Sequence, residues 1–163
     1  MQPQTFIDMA IKAWDVQISR TDKFLASLDD AALVKEIAPG KNRIIYLLGH
    51  LIAVNDNMIN LFGKGERSYA HLDDAFVKNP DKLIADIPNA ATLRADWKKS
   101  NEQLSALFAS MTPEEWFGRH TSMTDEDLKK EPTRNKLSVL LNRTSHVAYH
   151  LGQLVLAKEK VTA

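Results

Sequence analysis

Apolar residues recur at three- and four-residue intervals through four long stretches of the chain, the spacing that lines side chains up on one face of a helix. Across residues 4–28 the stripe is Phe6, Ile7, Met9, Ala10, Ile11, Trp14, Ile18, Phe24, Leu25 and Leu28, which predicts a first amphipathic helix. Ala38-Pro39-Gly40-Lys41 reads as a turn, Asn42 as the N-cap of a second helix over residues 42–62, and Gly63-Lys64-Gly65 as its stop. Leu93, Trp97, Leu104, Leu107 and Phe108 predict a third helix over residues 89–111. In Thr112-Pro113-Glu114-Glu115 a capping threonine, a proline at the first position and a glutamate at the third start a short helix. An acidic and then basic loop follows, and Glu131-Pro132-Thr133 opens a last helix that ends near residue 160. Nowhere does the two-residue alternation of a half-buried strand hold.

Each apolar stripe needs partners to cover it, so four long helices predict an all-α chain: one four-helix-bundle domain over residues 1–163. The link over residues 63–88 is broken by Pro80 and Pro88, with room for one helical turn near residues 81–87. A crossover of that length lets the second and third helices run parallel, giving up-down-down-up order with the second and last helices antiparallel.

Composition removes several function classes. The chain has 163 residues, 44% of them hydrophobic, enough to bury a core without staples. Lys plus Arg and Asp plus Glu both total 21, and no basic block marks a phosphate footprint, so nucleic acid is not an expected partner. With no cysteine there is no disulfide, thiolate metal site or catalytic thiol, and any thiol chemistry needs a thiol from outside. Asp8, Lys12 and Asp15 interrupt the apolar residues of the first helix, so no signal peptide is read there, nor any membrane span elsewhere. The expectation is a cytoplasmic protein without a membrane partner.

The candidate chemistry lies in three of the five histidines, His50, His146 and His150, all in helical stretches. His146-Val147-Ala148-Tyr149-His150 has the i, i+4 spacing that puts two imidazoles on one helix face, as a metal chelate requires. Val147 stands where a zinc peptidase has its glutamate, so peptide hydrolysis by that route is unsupported. At about 1.5 Å per residue, His50 lies roughly 18 Å from the end of its helix, and the pair roughly 20–26 Å from the start of theirs. In an antiparallel arrangement the three reach similar depths. The last helix's stripe, centred on Leu137, Leu141, Ala148, Leu151 and Val155, puts His146 and His150 at its edge, as in a cleft open to solvent. The same spacing equally describes hydrogen-bonded edge residues that bind nothing. Asn57, Tyr149 and Gln153 are candidates for orienting the imidazoles, and Arg143, one turn before His146, for holding an anionic thiol or carboxylate. His71 and His120 lie in connections, within possible reach of the cleft mouth, and no acidic residue is placed as a general base.

Two segments carry a family resemblance: Pro39-Gly40-Lys41-Asn42-Arg43-Ile44-Ile45-Tyr46-Leu47-Leu48-Gly49-His50-Leu51, and His146-Val147-Ala148-Tyr149-His150-Leu151-Gly152-Gln153-Leu154. In content, order and separation they resemble the signature stretches of the DinB-like (DinB/YfiT) superfamily of four-helix-bundle metalloenzymes. The resemblance implies a divalent metal on His50, His146 and His150, with zinc or nickel expected ahead of iron, manganese or copper. Relatives include transferases that join bacillithiol, mycothiol or glutathione to electrophiles, a thiol-dependent isomerase and metal-dependent hydrolases. The implied activity is therefore metal activation of an external thiol or water on a small-molecule substrate, most concretely an S-transferase with a low-molecular-weight thiol as co-substrate. A hydrolase is second, and a non-enzymatic, homodimeric binding or stress-response module with a structural metal is the alternative.

Overall fold

The structure is a computed structural model that describes residues 2–161. Four long helices carry it: α1 (Pro3–Ala26), α3 (Ile44–Leu61), α4 (Ala90–Ser110) and α7 (Lys136–Val161). Three short ones, α2 (Asp30–Leu33), α5 (Pro113–Phe117) and α6 (Asp125–Lys130), sit in the connections. No strand forms among the described residues; one isolated bridge joins Glu36 and Arg43.

Several helices begin where side chains satisfy their free amide groups. Asn89 accepts from the Thr92 amide at the start of α4, and Thr112 with Glu115 makes a full capping box for α5. Other boundaries depart from expectation. Arg43, not Asn42, precedes α3, because the Glu36 bridge holds this strand of chain extended and the Asp81 carboxylate accepts the Arg43 amide at 2.7 Å. The last helix starts at Lys136: Asn135 caps it by accepting from the Ser138 amide, and residues 132–135 form turns. The acidic-then-basic loop contains α6, capped by Thr124 and Asp127, with acids in its first turn and lysines in its last, complementing the helix dipole.

Contacts at the helix ends fix the directions. Arg94, the fifth residue of α4, donates to the Leu25 and Leu28 carbonyls at 2.7 Å each, so α4 starts where α1 ends. Phe62 and Phe108 pack with ring centroids 6.2 Å apart, so α3 and α4 end together. The Thr121 amide donates to Leu61, and the Lys136 amide to Gly118, which brings the start of α7 beside the end of α3. The order is up-down-down-up, with α3 antiparallel to α7.

Helix α3 is buried on nearly every face, from Ile44 and Leu48 through Ile52 to Met58. By length and apolarity it matches a membrane span, but most of it is covered within the fold, as expected of a core helix. The stripe of α7 is rotated from its expected centre. Leu140, Val147, Leu151 and Leu154 are buried, whereas Leu141 and Val155 are 48% and 50% exposed. Apolar character alone had placed those two inside. The buried face therefore runs through Val147 and Leu154, which flank His150, and His150 is itself buried.

The crossover from α3 to α4 is clamped to α3 at both ends. At one end, the fully buried Asp56 carboxylate accepts from the Ser68 and Tyr69 amides and from Arg67, which also forks onto Asp73 at 2.6 Å and reaches the Ala53 carbonyl. At the other, Arg43 pairs with Asp81 at 2.6 Å and the Tyr46 hydroxyl donates to the Asn79 carbonyl. Between them lie a 3-10 turn (Ala70–Leu72) and a π-helical turn (Asp74–Lys78). The helical turn expected near residues 81–87 is absent. Leu83 donates to Pro80 across a β-turn in which Lys82 has φ 74°, a conformation outside any right-handed helix.

Asp56→Ala leaves the Ser68 and Tyr69 amides without their acceptor, at about 1–3 kcal/mol for each buried donor left unsatisfied, while Arg67 keeps Asp73. Urea unfolding of this variant is expected to show a loss of that size; a loss below about 1 kcal/mol, the scale of a surface pair, contradicts the clamp.

Candidate metal centre

Each histidine is placed by a different constraint. His50 follows Gly49 in α3, and a Cβ on Gly49 would lie 2.5 Å from two atoms of the Phe76 ring. Only glycine admits that ring, which brings the π-helical turn against α3. The Phe76 carbonyl then accepts from His50 Nδ1 at 2.8 Å. A carbonyl oxygen can only accept, so the proton is on Nδ1 and the Nε2 lone pair points into the cleft. A π turn inside a functional segment is a recurrent association, because the extra residue re-aims backbone groups.

On α7, His150 is held the same way by its own helix. Its Nδ1 donates to Gln153 Oε1 at 2.8 Å, and Gln153 Nε2 donates onward to the Tyr149 hydroxyl at 3.1 Å. The ring of Tyr149 also packs edge-on against His150, with centroids 5.1 Å apart. His146 Nδ1 is buried without a partner. Its Nε2 lies 3.2 Å from that of His50 and 3.0 Å from that of His150.

The antiparallel packing sets their common level. Measured from the structural helix ends, His50 is roughly 16 Å and the α7 pair roughly 15–21 Å deep, closer agreement than the sequence boundaries gave. The available ligand atoms of the three lie within 4.8 Å of one another. His50 and His146 are half-buried and His150 is 9% exposed, so the site lies deeper than a cleft edge.

Burial sets the protonation state. It pushes His146 down to about 4, helped by His150, His50 and the charge of Arg143, and it also lowers His50 and His150. At neutral pH all three rings are neutral. Two lone pairs aimed at a third nitrogen about 3 Å away repel unless a proton or cation lies between them. The observed separations are close to the ~3.3 Å expected between two nitrogens bound at about 2.0–2.1 Å to one tetrahedral ion. The donor set therefore fits a divalent metal.

Among the other candidates, Tyr149 and Gln153 belong to the site through His150. Arg143 borders the site, one turn before His146 on the same face of α7, with its Nε buried and unpartnered. Asn57 does not: it is seven residues beyond His50, about 10 Å along α3, and hydrogen-bonds to none of the three. His71 and His120 do not join the group among the described residues.

Comparison with known families agrees with this geometry. The sequence profile of the DinB superfamily matches residues 13–154, a span that contains all three histidines. The chain belongs to the DinB superfamily. No curated protein matches it. In this DinB-superfamily chain, sequence reasoning missed Phe76, because any residue type can offer a carbonyl. Gly49 did carry a signal: a glycine inside an apolar helix marks a close approach.

Two outcomes follow. Gly49→Ala is expected to keep the helical circular dichroism but lose about 10–100-fold in zinc affinity, as displaced orienting groups do; unchanged affinity contradicts the role of Phe76. In metal-free protein, His146 titrates near 4 instead of 6.5, so the unfolded chain binds more protons between those values. Stability then falls as pH drops through that window, and an NMR titration should place the His146 midpoint at its lower end. A midpoint at the ordinary value contradicts the buried neutral site.

Proposed function

We propose that this DinB-superfamily protein is a metal-dependent enzyme that activates an external thiol for transfer to a small electrophile. The carrying observation is the convergence of three neutral imidazoles whose outer nitrogens, on His50 and His150, are committed to acceptors. That commitment leaves the inner nitrogens free as ligands. Bound there, a divalent ion supplies Lewis acidity that lowers the pKa of a thiol or water entering the cleft.

The chain's own residues do the rest. Phe76 and Gln153 hold two rings in one tautomer, so no reorientation accompanies binding. No acidic residue or fourth histidine joins the group among the described residues, which favours an open catalytic site over a closed structural one with four ligands. The absence of cysteine means that the sulfur nucleophile comes from solution. In the transfer, the thiol gives up its proton to solvent water, sulfur forms a bond to carbon, and the acceptor's leaving group departs with the displaced electron pair.

Untagged wild-type protein is expected to carry about one equivalent of zinc or nickel by plasma mass spectrometry, and the His146→Ala, His150→Ala double variant almost none. Metal-dependent consumption of a thiol with a test electrophile supports the transferase; ester or amide hydrolysis without thiol would replace it with a hydrolase. Failure of the wild type to bind metal after dialysis against zinc or nickel overturns the proposal.

A further inference from the structure

Arg143 stands apart from the other arginines. Arg43, Arg67, Arg94, Arg119 and Arg134 each hold a carboxylate at 2.6–3.3 Å, and Arg20 is exposed. Arg143 is half-buried, and its Nε is buried with no partner. Its one hydrogen bond is a long 3.3 Å contact to the neighbouring Asn142 side chain, and it forms no ion pair among the described residues. A guanidinium partly withdrawn from water without a carboxylate is costly, and among the described residues only the Asn142 contact offsets it.

Its place explains what is missing. Arg143 is one turn before His146 on α7, and His146 Nε2 lies 3.2 Å from that of His50 on α3, so residue 143 stands on the face of α7 that borders the cleft between those helices. The three imidazoles are neutral, and no carboxylate joins them among the described residues. With a divalent ion bound, the cleft would hold that charge and the charge of Arg143 with no anion to balance them. We propose that Arg143 is a specificity residue: the molecule entering the metal cleft carries a carboxylate that pairs with its guanidinium. This rests on the reading of the histidines as a metal site, and it adds the substrate class. Arginine suits the task because its fixed fork of donors matches the two oxygens of a carboxylate.

Small probes separate the two layers. Cobalt-loaded wild type is titrated with 3-mercaptopropionate and with 3-mercaptopropan-1-ol, which differ in the acid group, while the visible absorption of the cobalt is followed. The acid is expected to bind at least about tenfold more tightly, the scale of one charge-assisted hydrogen-bonded pair. In Arg143→Gln that preference should fall to within about twofold, and Arg143→Lys should recover part of it, with metal content and circular dichroism unchanged. Equal binding in the wild type, or a preference undiminished in Arg143→Gln, overturns the inference. If neither thiol alters the spectrum, thiol activation fails and propionate against propan-1-ol, read as a shift in melting temperature, judges Arg143 alone. Stabilisation by propionate that is lost in Arg143→Gln places the acid group on a ligand other than the thiol; no stabilisation overturns the inference.

Discussion

The hydrogen bond from His50 to the Phe76 carbonyl is the constraint on which the site depends. It joins a side chain of the most buried helix to the backbone of a connection, and so it exists only if that connection is held in register. Asp56 with Arg67 fixes one end of the crossover, and Arg43 with Asp81 fixes the other. Gly49 provides the gap into which the Phe76 ring packs. A long loop, ordinarily the most variable part of a bundle, is here pinned at both ends and supports a candidate metal ligand.

The second constraint is direction. Because α3 runs down and α7 runs up, residues near the middle of both meet at one depth, and His146 can lie within about 3 Å of each of the other imidazoles. Packing these rings in a half-buried cleft keeps them neutral, the state that a metal needs and that a proton would destroy. A groove of about 650 Å³ between α1 and α4, lined by Trp97 and Asn101, contains none of these histidines. The candidate site is marked by convergent donors, not by that concavity.

Much of this was legible in the sequence. The four stripes, the long crossover and the depth argument give the topology, because helical periodicity and chain length are local properties. The i, i+4 histidine pair needs only the 3.6-residue period. Three things were less accessible. The α7 stripe was misplaced because Leu141 and Val155 are apolar yet face outward, and only packing decides which apolar residues are covered. The π-helical turn has no composition signal, since it follows from where the clamps pin the chain. Asn57 shares a helix with His50 but is too far along it, a distance that residue type does not reveal.

The most direct test is an anomalous-scattering crystal structure of the zinc-loaded protein. It should show one ion on the Nε2 atoms of His50, His146 and His150, with His50 Nδ1 still bonded to the Phe76 carbonyl. Zinc held elsewhere, or bound through the Nδ1 of His50 with that bond broken, would contradict the account.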